Sequence, residues 1–579
     1  MTARRILLAA LAAGLAASAV AAQEAELPQA TFFAPLEVPL VSVEVYVSGR
    51  DGRPMPGLTV EDFEIFEDGR PVEISHFYAS GGAAQDDAES VPEAAFEEAG
   101  SAPGQDLYLV IYFDDTNLNR GRRQAAIEHL RTFLASELPP DLKIMLVRYD
   151  GRIHVEQPFT EETDEVAAAL ESVREAASLS RQIDETMLLR EIENAMSMAA
   201  VSGDDALLIL EQSGRSTWQS IGSYVDQTVH RTRTSIENQK RLVRSLSGLS
   251  GRKALILVTD GVEARPGEML YRTWSQVFGQ VPEFRIDAQR AFTQASRNDL
   301  TREFAELAQF ANGHRVSFYT LSTLGAGSGF ARSAGSKFMD EGGLAVDQAL
   351  SAEVLLANMA GVTGGRYLVN SPGLSEQLDE VSTELASYYS LAFEPHHVGD
   401  GTYHRLEVKV HRDGVKVRHR EGYRDVPLDE RITDRTLAAA VHGVADNPLG
   451  ISVAVNGEIA ARDDGSFVVP VIITVPIGQL VLIPAENEHQ GRVSISLTVR
   501  DRQGGLSPPS RREFPLAIPN ASLAAALSQT AGFTMQLAVR SGRQRIAVGL
   551  RDEVARTDSV TFLETDVGND ATGRAAQGR

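Results

Sequence analysis

Hydrophobic and polar positions alternate with period two along LVSVEVYVSGRDGRPMPGLTVEDFEIFEDGRPVEISHFYA. Val41, Val43, Val45 and Val47 share one face, GRDGRP turns the chain, and FEIFEDGRPVEISHF predicts a second hairpin through Asp68-Gly69. A small antiparallel β module is therefore expected over residues 36–80. Residues 81–105 are acidic, rich in small residues and poor in large apolar ones, the composition of a flexible linker.

From Asp106 the pattern changes. LYLVIYF is a continuous apolar run, as a strand covered on both faces requires, and it is followed by a helical face of Ala126, Ile127, Leu130, Phe133 and Leu134. KIMLVRYDG, IHVEQPF, KALILVTDG, VSFYTLS and GRYLVN read as further strands, and Leu374, Leu378, Val381 and Leu385 fall in helical register. Strands separated by helices predict a parallel or mostly parallel sheet with right-handed crossovers, an α/β domain over 106–395. Two charged helical stretches, about 160–250 and 264–313, read as insertions in it. The hairpin over 396–427, turning at Asp413-Gly414, is expected to extend this sheet or to pair with the N-terminal module. Short strands with frequent turn signals over 428–567 predict a β-sandwich, and 568–579 a disordered tail.

Composition narrows the function classes. The formal net charge of −24 argues against nucleic acid as a partner, since a phosphate backbone requires a basic face. The absence of cysteine removes disulfides, thiol catalysis and thiolate metal sites. At the N-terminus, Arg4 and Arg5 precede an apolar run from Ile6 to Ala17 and small-residue cleavage sites around Ala19–Ala22. Residues 1–22 therefore read as a secretory signal, and the mature chain is expected in the periplasm or outside the cell, without a membrane span.

The strand ending in Asp114, the helix after it, and the later strand ending in Thr259-Asp260-Gly261 resemble a von Willebrand factor A (vWA) domain. The stretch GLTVEDFEIFEDGRPVEI, with GRKALILVTDGVE, VTGGRYLVN, ELASYYSLAFEP and KVRHREGYR, is similar to the bacterial secreted vWA-related family across roughly residues 38–424. The resemblance implies a doubly wound, Rossmann-like sheet with a metal-ion-dependent adhesion site at its strand ends. It also implies a divalent cation, Mg²⁺ or Ca²⁺, whose coordination a carboxylate of a protein partner completes.

Carried over residue by residue, the adhesion-site pattern falls on two registers. Asp114 matches the first Asp and Thr116 the first Ser, but Leu118 then stands where the second Ser belongs. Shifting by one gives Asp115, Asn117 and Asn119, which keeps three oxygen donors with amides in place of hydroxyls. Asp260 matches the third-loop Asp, and Thr163 or Thr186 is a candidate for the second-loop Thr. The residue-level alternative is a polar strand edge without metal, in which Arg120, Arg122 or Arg123 supplies the positive charge between the carboxylates.

No nucleophile or general-base signature appears, so an enzyme is not expected. The histidines of EPHHVGDGTYHR (His396, His397 and His404) are expected to be solvated, and Leu324–Gly329 to be a surface loop. The reading is a protein-binding module with a degenerate adhesion site. A metal-free envelope scaffold is the alternative.

Overall fold

The computed structural model describes residues 40–80, 106–176, 182–324, 341–397 and 399–568. The expected signal segment, the acidic linker, the tail beyond Gly568 and most of the Leu324–Gly329 loop lie outside the described residues.

The N-terminal module supplies β1 (Val41–Ser48), β2 (Phe63–Glu67), β3 (Arg70–Val72) and β4 (Ile74–Ala79). Type-specific turn chemistry sets the second hairpin: Asp68 and Gly69 both take positive φ, which matches the right-handed twist of the strands they join.

The α/β domain follows as β5 (Leu107–Asp114), α1 (Arg120–Leu134), β6 (Leu142–Tyr149), β7 (Ile153–Thr160), α2 (Thr163–Glu175), α3 (Gln182–Val201) and α4 (Ala206–Ser247). It continues as β8 (Arg252–Thr259), α5 (Glu268–Phe278), α6 (Arg285–Arg297), α7 (Thr301–Gly313), β9 (Val316–Ser322), α8 (Glu341–Val362), β10 (Tyr367–Val369) and α9 (Leu374–Ala386). Its six strands run β7-β6-β5-β8-β9-β10, all parallel except β7, which is antiparallel to β6. Numbered within the domain this is the doubly wound order 3-2-1-4-5-6, with its reversal between β5 and β8. Alternate residues of each strand feed two cores. Leu109, Ile111 and Phe113 pack under α1, α2 and α9, while Tyr108, Val110 and Tyr112 pack under α4, α7 and α8.

Tyr389–Phe393, expected inside the α/β domain, is instead β11 of the first sandwich, between β1 and β4. It is followed by β12 (Tyr403–Val410), β13 (Lys416–His419) and β14 (Gly422–Arg424). The sheets β13-β1-β11-β4 and β14-β12-β2-β3 share one core, in which Val43, Ile65 and Leu391 are fully buried. The N-terminal module and the later strands are thus two halves of one sandwich, and the α/β domain is inserted between them.

The stretch after Leu428, read from sequence as β-rich from its first residue, opens with a helix, α10 (Leu428–His442). Asp429 and Glu430 occupy its first turn, where the helix dipole favours acids, and Gly443 closes it in the left-handed conformation. Beyond it two sheets, centred on Phe467–Pro476 paired with Thr530–Val539 and on Glu488–Asp501 paired with Gly542–Asp552, enclose a second sandwich core.

Gly251, at the entry to β8, has φ of +101°, and a Cβ there would lie 2.1 Å from the Asp106 carbonyl oxygen. Gly251→Ala is expected to lower stability by about 2 kcal/mol, read by urea unfolding. An unchanged midpoint would show that the β5–β8 entry relaxes freely.

Candidate functional site

The carboxyl ends of β5 and β8 are neighbours at the reversal of strand order, where open α/β sheets bind their ligands. The loop after β5 ties the two ends together. Asn117 donates from Nδ2 to Asp114 Oδ2 at 2.7 Å, and its carbonyl accepts the Asp260 N–H at 2.9 Å. Thr116 donates its hydroxyl to Asp114 Oδ1 at 2.5 Å. Asp114 is itself buried, and burial, with the Asp114 charge adding to it, raises the pKa of Tyr112 and Tyr149 behind it.

Asp260 is held from three sides. Arg122 grips it as a fork, with Nε 2.9 Å from Oδ1 and Nη2 2.6 Å from Oδ2. The backbone N–H of Asn119 donates to Oδ2 at 2.7 Å, and the Thr323 hydroxyl donates to Oδ1. Two-point guanidinium–carboxylate pairing is the strongest geometry open to such a pair.

Asp115 turns away from this edge. It is fully buried, its Oδ1 lies 2.9 Å from Arg123 Nη1, and its Oδ2 lies 3.7 Å from Arg148 Nη1. Burial raises its pKa, and the Arg123 guanidinium opposes that rise. Asn119 caps α1 by accepting the Gly121 N–H on its side chain. The shifted register of Asp115, Asn117 and Asn119 therefore spreads over three different partners: Arg123, Asp114 and Gly121. In the other register Leu118 is fully buried among Leu109, Ile111 and Phe113 and brings no oxygen. Thr163 opens α2, and Thr186 lies in α3.

The residues present do not fit the divalent ion that the vWA resemblance implies. The guanidinium of Arg122 takes both oxygens of Asp260, and the second hydroxyl is replaced by a core leucine. Among the described residues, the groups of three or more His, Asp and Glu close enough to share an ion lie in the first sandwich, at Glu67, His397 and His404 and at His397, Asp400 and Asp425. His397 and His404, expected to be solvated, stack on one another and are held by carboxylates. The sequence signal for this group was present in EPHHVGDGTYHR. Its carboxylate partners Glu67 and Asp68 come from a hairpin more than 300 residues away, beyond any local pattern.

A helical projection stands over the strand-end edge. α4 enters β8 at the amino edge of the sheet, and its Ile236, Leu242, Val243 and Leu246 pack on the sheet. Ser235 lies beside Tyr112 and Tyr149, near the carboxyl ends of β5 and β6. The part of α4 before Thr232 therefore continues roughly 40 Å past the strands at 1.5 Å per residue. α3, α5 and α6 pack around it with a separate core of Ile221, Tyr224, Trp274, Phe278 and Phe284. Trp274 donates its indole N–H to the Gly214 carbonyl at 2.9 Å, so its one polar atom is satisfied. The sequence marked this region as an insertion, but its position over the edge follows from the length and direction of α4.

Comparison with protein-family models gives no match, and neither does comparison with curated proteins. Several solved structures align in part. The conserved hypothetical protein BatB from Bacteroides thetaiotaomicron is 11% identical, covers 48% of this chain and 98% of its own, and has a TM-score of 0.21. The manganese-loaded TRAP protein of Plasmodium vivax is 9% identical, with 55% and 94% covered and a TM-score of 0.20. The pilus adhesin SpaC from Lactobacillus rhamnosus GG, in its open conformation, is 7% identical, with 88% and 57% covered and a TM-score of 0.25. Likeness at these TM-scores carries no argument, and the functional reading rests on the geometry above. Among the described residues no helix is long and apolar enough to cross a membrane.

Proposed function

We propose that the chain is a secreted or periplasmic protein-binding module. Its binding face is the carboxyl edge of the doubly wound sheet together with the helical projection above it, and Arg122 takes the place that a cation holds in an adhesion site. The observation that carries this reading is the exposed apolar surface of the projection. Met187, Met198, Val201, Leu207, Leu208, Ile286 and Phe292 are seven of the fourteen exposed large hydrophobic residues among those described, and all seven lie on α3, α6 and the start of α4. Solvent-facing apolar side chains gathered on one subdomain mark a contact surface for another protein. The signal-like N-terminus supports an extracytoplasmic setting.

A photo-crosslinking residue at Phe292 or Met198, introduced into the full chain in its native envelope, is expected to capture one discrete protein adduct. The same probe at Leu527, exposed in the C-terminal sandwich, is expected to capture none. Capture at Leu527 and not at Phe292 or Met198 would overturn the reading and favour a scaffold that works through its sandwiches.

A further inference from the structure

We propose that Glu67, His397 and His404 bind a divalent transition metal, Zn²⁺ by the chemistry of the donors, inside the first sandwich. One ligand atom from each of the three residues lies within 4.8 Å of the others, and His397, Asp400 and Asp425 form an overlapping set. Imidazole nitrogen with carboxylate oxygen is a donor combination that zinc takes readily. Glu67 Oε1 and His397 Nε2 stand 3.2 Å apart. Two ligands at about 2.0–2.1 Å from one tetrahedral ion stand roughly 3.3 Å apart, so this pair is already spaced for coordination.

Each imidazole has its Nδ1 beside a carboxylate, and the Nε2 of His404 also lies 3.2 Å from Asp400 Oδ2. Asp425 Oδ2 is 3.1 Å from His397 Nδ1, and Asp68 Oδ2 is 2.9 Å from His404 Nδ1. A carboxylate on one ring nitrogen fixes the tautomer and raises the basicity of the other nitrogen toward an ion. The Tyr423 hydroxyl donates to Glu67 Oε1 and fixes that carboxylate. The two imidazoles stack with centroids 3.6 Å apart, so binding by both turns one ring about its Cβ–Cγ bond, a soft torsion, and shifts that ring's present contact with Asp425 or Asp68.

Charge also favours an ion. Glu67, Asp68, Asp400 and Asp425 converge on two imidazoles, and a divalent cation offsets the repulsion among the four carboxylates. Glu67, His404 and Asp425 are buried, while Asp68 and Asp400 are exposed and leave a route in from solvent. Glu67 and Asp68 belong to the N-terminal half of the sandwich and the other four residues to the later half, so the ion ties the two halves together.

Zn²⁺ alone is titrated into the metal-stripped full-length chain by calorimetry, and unfolding temperature is read with and without it. One equivalent is expected to bind saturably and to raise the unfolding temperature. Affinity is expected to fall at least about tenfold in His397→Ala and in Glu67→Gln. Glu67→Gln keeps the side-chain shape, so lost binding with an intact unfolding transition separates ligation from misfolding. His396→Ala, at the exposed neighbour, is expected to bind as the wild type does. No saturable binding, or equal binding by wild type, His397→Ala and Glu67→Gln, would overturn the site and leave the cluster as imidazole–carboxylate hydrogen bonds. The readout involves no partner protein, so it stands apart from the test of the binding face.

Discussion

Arg123→Met is expected to cost about 3–5 kcal/mol of stability near neutral pH, the loss typical of stranding one member of a buried ion pair. Methionine keeps much of the volume, so lost packing contributes little. What remains is Asp115, fully buried, with Arg148 Nη1 3.7 Å away as its nearest remaining cation. Burial already raises the Asp115 pKa, and the hydrogen bond and charge of Arg123 oppose that rise. Without Arg123 the folded-state pKa moves further above the unfolded value. Across that window the folded state binds more protons than the unfolded state, so stability falls as pH rises. The deficit of Arg123→Met should therefore be smaller near pH 5 than near pH 7.5. Urea unfolding at the two pH values reads this, and a deficit equal at both would assign the loss to packing instead.

The second large effect is expected at the strand-end edge. Arg122→Ala removes a forked partner from Asp260, whose side chain is 4% exposed, while Arg122 is 30% exposed. The Asn119 N–H and the Thr323 hydroxyl remain on the carboxylate. A loss of about 2–3 kcal/mol follows, less than for a fully buried pair because solvent reaches the guanidinium. The vacated space lies beside Asp260, whose carboxylate is then open to a hard cation. Mg²⁺ at about ten times a millimolar Kd is expected to return roughly 1.4 kcal/mol to this variant and nothing to the wild type. Equal Mg²⁺ responses in the two proteins would show that Arg122 does not stand in for an ion.

Much of the α/β domain was legible because its strands are buried on both faces. LYLVIYF and the ALILV of KALILVT are unbroken apolar runs, and each strand is followed at the edge by an acid, Asp114 or Asp260. The placement of Asp114 and Asp260 as neighbours followed from that. The partner of each carboxylate did not. Arg122 and Arg123 are adjacent in sequence, yet successive helical positions point about 100° apart, so one reaches the edge and the other enters the core. Only the packing of α1 decides which serves which. β11 was misplaced for a related reason: YSLAF is as apolar as the α/β strands, and nothing local tells one buried sheet from another. LDERITDRTLAAAVH carries acids at its start and a glycine stop, and its helix was hidden by the strand-rich sequence after it.

The divided sandwich sets an order of events for the newly made chain. Val41 pairs with Phe393 and Val45 with His419, so the strands that emerge first wait for partners made after the whole α/β domain. Contacts this distant in sequence close slowly. Meanwhile β1 and β2 present open, valine- and phenylalanine-rich edges, the kind that recruit other chains. The amino-terminal half of the sandwich is thus exposed to wrong partners for as long as the α/β domain takes to be made, whereas the C-terminal sandwich, whose strands are close in sequence, is not.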